Sequence, residues 1–202
     1  TIQPPILSRE ELLAKSECFN ERGLFNPYAA NENMARYWAI PGAEGLEHRL
    51  GGLEKQPMTG AISYQPEDHA AMGALRAERV ARVSDMVQEV KVEGESEGDL
   101  LVLSWGSNVG KVAEAVARLR SEGAKVSHIA VELINPLQRG LLEAMSRFER
   151  VVVCESNSGQ LASYLRSLAG DNDICSVADM GAQPFSVGVL MSELKEMLNL
   201  EE

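Results

Sequence analysis

The chain has 202 residues, of which 45% are apolar and 24% charged; these are the proportions of an ordinary globular protein and disfavour disordered, collagen-like and membrane classes. A formal charge of −11 opposes partnership with nucleic acid or anionic lipid, since both are polyanions. No apolar run approaches the ~18 residues that span a bilayer, and no charged segment, apolar segment and cleavage site follow one another at the start, so a soluble, cytoplasmic protein is expected.

Residues 1–65 show no sustained periodicity and are punctuated by Pro4-Pro5, Gly23, Pro27, Pro41-Gly42, Gly45, Gly51-Gly52, Pro57 and Gly60. They read as an irregular arm or interdomain segment. An irregular stretch of this length is unusual inside a compact domain, so the arm is expected to lie over another domain or subunit. Leu24, Phe25, Tyr28, Tyr37, Trp38 and Ile40 would be buried there. Thr1 in place of Met suggests a processed chain or a piece of one.

Residues 66–98 read as a long helix and an acidic linker. Pro66-Glu67-Asp68 is an acidic helix start, and Met72, Leu75, Val80, Val83, Val87 and Val90 recur near helical spacing, which predicts one amphipathic helix over 67–91. Its face with Arg76, Glu78, Arg79 and Arg82 is read as solvated. Glu93-Gly94-Glu95-Ser96-Glu97-Gly98-Asp99 is then a linker or a tight exposed loop.

Residues 99–202 alternate strand and helix patterns. Leu100-Leu101-Val102-Leu103 precedes a helix over 109–122; strand 126–134 precedes helix 137–148; strand 151–155 precedes helix 160–169; strand 174–179 precedes helix 187–199. Continuous apolar strands interleaved with helices predict an α/β fold, a three-layer, mostly parallel sheet of four to five strands with helices on both faces.

Three strands run into helix-opening loops: Trp105-Gly106-Ser107-Asn108, Glu155-Ser156-Asn157-Ser158-Gly159 and Asp179-Met180-Gly181. At the carboxyl edge of a parallel sheet such loops meet ligands, and helix N-termini favour anions. Ser107, Asn108, Glu155, Asn157, Gly159 and Gln160 are therefore candidate cofactor contacts. Ser107, Asn108, Asn157 and Ser158 are equally the residue types that cap helices with no ligand. Gly106 is followed by three residues and then Gly110-Lys111-Val112, which fails the phosphate-loop pattern in both spacing and hydroxyl, and no G-x-G-x-x-G follows a strand.

His48, His69 and His128 are far apart in sequence, with no pair at ligand spacing. His128 lies in a strand and is expected to pack or cap. His48, with Arg49 beside it in the glycine-rich arm, is the histidine suspected of touching a partner or substrate. Cys18, Cys154 and Cys175 fit neither a disulfide framework nor a cluster ligand set, and Cys154 is expected to be a small core residue. No serine has a nucleophile-elbow frame. Glu155 and Asp179 can meet at neighbouring strand ends, an arrangement read as structural. The residues offer no catalytic group.

Ala39-Ile40-Pro41-Gly42, Gly45-Leu46-Glu47-His48-Arg49 and Gly51-Gly52-Leu53-Glu54 resemble the segment before the last domain of 2-oxoacid:ferredoxin oxidoreductase α subunits. Trp105-Gly106-Ser107 with Gly110, Asn135-Pro136-Leu137, Glu155-Ser156-Asn157-Ser158-Gly159-Gln160-Leu161 and Gly181-Ala182-Gln183-Pro184-Phe185 resemble later blocks in the same order. The likeness covers about residues 36–199, departs at Asn108 and Ala43, and is nearest the 2-oxoglutarate type.

That resemblance implies an enzyme that decarboxylates a 2-oxoacid on thiamine diphosphate, passes electrons through an iron–sulfur cluster to ferredoxin, and joins the acyl group to coenzyme A. It implies, further, that the cofactor and its Mg2+ lie between an N-terminal pyrimidine-binding domain and a β subunit, both outside these residues. The present chain is then a C-terminal domain similar to that of transketolase, carrying no cofactor and no catalytic residue, and supporting a hetero-oligomer and the approach to its active site. Two other readings stand beside it: a stand-alone flavodoxin-like or regulatory module for a small anion, and a purely structural oligomerisation domain.

Overall fold

The computed structural model describes residues 13, 16–170, 172–181 and 185–199. The chain divides into two compact units between Met86 and Val87. Pro4-Pro5 and, in the last sequence block, Ala182, Gln183 and Pro184 lie outside the described residues.

The first unit is mostly irregular, as its prolines and glycines predict. A 3-10 turn at Ser16–Cys18 is followed by single antiparallel bridges, Phe19 to Phe25, Tyr28 to Met58, Ala30 to Arg36 and Lys55 to Ile62. Helix α1 (Pro66–Ala81) opens with Pro66 in its first turn and Glu67 and Asp68 beside it, where a missing N–H costs nothing and negative charge meets the helix dipole. Glu54 ties the loop before α1 to the helix: it accepts from the ring of His69, from the Lys55 amide and from Arg76. The His69 contact, with those of Lys55 and Arg76, holds the Glu54 carboxyl down at about 2. Only Met72 of α1 is buried.

The second unit is a four-stranded sheet in the order β2-β1-β3-β4, with β1 (Gly98–Trp105), β2 (Val126–Val131), β3 (Phe148–Glu155) and β4 (Asp173–Ala178). Every pairing is parallel. Between them run α2 (Val109–Ser121), α3 (Leu141–Met145) and α4 (Gln160–Leu168), and α5 (Val187–Met197) follows β4. Alternate residues of each strand face opposite layers. Leu101, Leu103, Ile129, Val131, Val151 and Val153 pack with α3 and α4, while Leu100, Val102, Val126, Val152 and Cys154 pack with α2 and α5. Both faces are covered, which is why these strands read as unbroken apolar runs. Val151 to Cys154 are fully buried, and each such aliphatic side chain contributes roughly 1.5–3 kcal/mol of transfer free energy.

Three segments differ from the periodicity. The helix expected over 67–91 ends at Ala81, with a 3-10 turn from Arg82 to Met86. Val87 and Val90 are at helical spacing but belong to an extended strap: Val90 and Val92 pack on the second unit's core, Val90 N–H bonds the Arg139 carbonyl, and tertiary packing outweighs propensity. The acidic stretch expected as a linker is docked along β2. Glu93 and His128 exchange both backbone hydrogen bonds, at 2.8 and 2.9 Å, and Ser127 Oγ donates to the Glu95 carbonyl at 2.9 Å. Gly94 sits at φ +126, with Ser127 Oγ 2.5 Å from where a Cβ would be, so a larger residue would lift the strap.

Helix 137–148 contracts to α3, since Pro136 and the left-handed Gly140 (φ 77) precede it. Strand 126–134 stops at Val131 because the Gln138 side chain takes over its backbone. Gln138 Oε1 accepts from Glu132 N–H and its Nε2 donates to the Gln88 carbonyl, both at 2.9 Å.

Candidate functional site

The connection from β1 crosses to one side of the sheet and that from β3 to the other, so chain direction switches between these two central strands. Crevices at such points receive ligands in open α/β sheets. The loop of Ser107 and Asn108 and the loop of Ser156 to Gly159 meet there. Ser156 Oγ donates to Asn108 Oδ1 at 3.2 Å, which joins the two loops across the switch. Ser107 is exposed and Asn108 buried. Asp179 turns back on itself, accepting from Gly181 N–H at 2.7 Å, and its N–H donates to the Glu155 carbonyl; the structure records no contact between the two carboxylates.

Accounting for the first turn of α4 decides what the second loop can do. Asn157 Oδ1 accepts from Gly159 and Gln160 N–H, both at 2.9 Å. The fully buried Glu155 carboxylate accepts from Leu161 N–H at 2.8 Å, Ala162 N–H at 3.1 Å and Ser176 Oγ at 3.2 Å. Ser163 N–H bonds the Gly159 carbonyl. The helix end that would attract an anion is thus already neutralised by a carboxylate of its own strand. α2 differs, for Asn108 gives it no side-chain cap.

His48 and Arg49 lie in the first unit and are exposed. His48 Nδ1 is 2.8 Å from the Leu46 carbonyl and its ring meets the edge of Phe25 at 5.4 Å. His48 also lines a cavity of about 1000 Å3 in that unit, together with Trp38, Ile40, Leu46, Leu50 and Arg79.

His128 is buried and packs in the sheet, as expected for a strand histidine. Its partners were not foreseen. Ser104 Oγ lies 2.7 Å from His128 Nε2, and Glu93 Oε2 lies 3.4 Å from Nδ1. Ser104 and His128 are 0% and 1% exposed, so this serine–histidine–carboxylate series is closed to substrate and satisfies buried polar groups. Burial lowers the His128 pKa, against the opposing pull of Glu93. The signal available beforehand was a serine and a histidine standing in otherwise apolar strands. The Trp105 indole N–H, at the end of β1, is buried with no hydrogen-bond partner among the described residues; no sequence pattern marks it.

Cys154 is a core residue with its thiol pushed up to about 12, chiefly by burial. Cys175 shares that strand pair and Cys18 belongs to the other unit. These thiols do not fit an iron–sulfur cluster, and among the described residues no three His, Cys, Asp or Glu are grouped to hold a metal ion. Among the described residues no helix is long and apolar enough to cross a membrane.

No protein-family profile matches the chain. The 2-oxoglutarate oxidoreductase subunit KorA of Mycobacterium tuberculosis is 42% identical over 144 residues, which cover 70% of this chain and 22% of that protein. The 2-oxoglutarate synthase subunit KorA of Methanothermobacter marburgensis is 27% identical over 127 residues, 62% of this chain and 34% of that protein. Among solved structures, the 2-oxoglutarate:ferredoxin oxidoreductase of Magnetococcus marinus, with 2-oxoglutarate, coenzyme A and succinyl-CoA bound, superposes with a TM-score of 0.79 and 30% identity over 90% of this chain and 32% of that one. The chain spans about a fifth to a third of these relatives. The ordered sequence blocks, the parallel sheet and these likenesses agree: the chain belongs to the family of 2-oxoacid:ferredoxin oxidoreductase α subunits, as their C-terminal part.

Proposed function

We propose that this chain serves a thiamine-diphosphate-dependent 2-oxoacid:ferredoxin oxidoreductase, with 2-oxoglutarate as substrate and acyl-CoA and CO2 as products, by supporting assembly and shaping the approach to the active site. The observation that carries the supporting role is Glu155. It is the fully buried carboxylate at the sheet's switch point, the place where a ligand-directed acid would stand, and its recorded hydrogen bonds come from the Leu161 and Ala162 amides of α4 and from the Ser176 hydroxyl. The relatives of the 2-oxoglutarate type, and the 2-oxoglutarate and coenzyme A bound in the Magnetococcus structure, support the choice of reaction.

In this reading the chemistry belongs to a pyrimidine-binding domain and a β subunit, with Mg2+ and an iron–sulfur cluster held there and ferredoxin as electron acceptor. Ser107, Asn108, His48 and Arg49 remain the groups of this chain nearest a role in the approach. The test is 2-oxoglutarate- and coenzyme-A-dependent ferredoxin reduction by the complete α subunit with its β subunit. Turnover that survives Ser107→Ala and Asn157→Ala within about threefold in kcat supports a supporting role; a loss of a hundredfold or more assigns these loops to the chemistry.

One observation favours the small-anion module: α2 continues from the 3-10 turn at Gly106–Asn108 with no side-chain cap on its amides. Inorganic phosphate titrated against the chain and followed by amide chemical shifts separates the readings, because a saturable shift confined to residues 106–111 supports the module.

A further inference from the structure

β2 is an outermost strand of the sheet, and the segment Glu93 to Glu97 lies along its outer edge. Besides the backbone pair of Glu93 with His128, that segment is held by Ser127 Oγ on the Glu95 carbonyl and by Arg147 Nε, which donates to the Ser96 carbonyl at 3.0 Å. All its residues are exposed. Val90 and Val92 before it pack on the core, and Gly98 after it opens β1. A short loop fixed at both ends, with polar ties and solvent-facing side chains, is the kind of segment that opens without the domain unfolding.

His128, opposite Glu93, shares a sheet face with Val126, the face toward α2. A carboxylate only accepts, so Nδ1, 3.4 Å from Glu93 Oε2, carries the hydrogen of the neutral ring, and Nε2 accepts from the Ser104 hydroxyl at 2.7 Å. A further proton must go on Nε2. Ser104 Oγ then becomes the acceptor, and its own hydrogen loses the one side-chain partner recorded for it among the described residues. The imidazolium would be buried, with Glu93, 57% exposed, as its counter-charge. Among the described residues no other charged group acts on the ring: β1 brings Ser104, and the α2 charges Lys111, Glu114 and Arg118 are exposed, the last two paired with each other at 2.8 Å.

We infer that the segment Glu93 to Glu97 is a proton-operated latch on the edge of β2, closed while His128 is neutral and opened when the ring is protonated, so that water reaches the imidazolium and the edge backbone of β2 is bared. Burial sets the direction, since it lowers the His128 pKa against the weaker upward pull of Glu93. Opening returns the ring toward its ordinary 6.5. Protons therefore favour the open form as the pH falls below that value, by up to about tenfold per pH unit until the closed form is itself protonated. The inference concerns the second unit and does not rest on the enzyme assignment.

The test is amide hydrogen exchange of the 202-residue chain, read by NMR as protection factors. Between pH 7.5 and pH 5.5 the protection of the Glu93 and His128 amides should fall at least about threefold further than that of the Val102 and Val152 amides in the sheet interior. His128→Gln should abolish the difference, and Glu93→Gln should keep it, which separates the ring from the carboxylate as the titrating group. Should His128→Gln fail to fold, the unsubstituted chain and Glu93→Gln decide the question. The inference is overturned if the Glu93 and His128 amides keep their protection down to pH 5.5, if they lose it only together with the interior amides, if the difference survives in a folded His128→Gln, or if it vanishes in Glu93→Gln.

Discussion

Replacing Glu155 tests whether the switch-point carboxylate is a helix cap. Glu155→Ala removes the acceptor for Leu161 and Ala162 N–H and for the Ser176 hydroxyl. Each buried donor left unpaired costs about 1–3 kcal/mol, and loss of an N-terminal cap costs about 0.5–2 kcal/mol by itself. With partial relaxation the expected loss is about 3–5 kcal/mol, a large share of the roughly 5–15 kcal/mol that holds a domain together. Glu155→Gln keeps one acceptor oxygen and turns an amide N–H2 toward a donor, for a loss of about 1–3 kcal/mol. Urea unfolding of the second unit, followed by far-ultraviolet dichroism, reads both values, and hydrogen exchange at 161 and 162 localises the effect. If Glu155→Ala unfolds within about 0.5 kcal/mol of the original chain, the capping account fails and the carboxylate is free for another task.

Other outcomes follow from the same geometry. Burial lowers the His128 pKa below its ordinary 6.5, so the unfolded chain binds the proton more tightly. Stability is full above about pH 6.5 and falls as the pH drops toward the folded value; unfolding midpoints at pH 7 and pH 5 give the slope, and His128→Gln should flatten it. Gly159 is left-handed at φ +85, so Gly159→Ala should cost about 1–2 kcal/mol through backbone strain, read by thermal unfolding. With its thiol at about 12 and no exposure, Cys154 should resist a disulfide reagent at pH 8 until denaturant is added, and rapid labelling of the folded chain at that residue would contradict the packing described.

The second unit was largely legible from sequence because a sheet covered on both faces needs unbroken apolar strands, and Leu100 to Leu103 and Val151 to Cys154 supply them. Gly106, Gly140 and Gly159 mark where strands give way to helices. The strap was not legible. Val87 and Val90 satisfy a helical spacing by coincidence, and the place of Val90 is set by the Arg139 carbonyl and the second unit's core, both distant in sequence. Gln138, holding Gln88 and Glu132 at once, is likewise visible only when the fold is complete. At the candidate site the residue types did not separate capping from ligand binding, because an oxygen that bonds amides serves either end. The side-chain oxygens of Glu155 and Asn157 accept amides at the start of α4.

The central claim, that this chain supports a thiamine-diphosphate enzyme without holding its cofactor, is tested most directly by calorimetric titration of thiamine diphosphate with Mg2+ into the 202-residue chain and, in parallel, into the assembled α and β subunits. The account predicts stoichiometric binding to the assembly and no saturable heat with the chain alone; stoichiometric binding by the chain alone contradicts it.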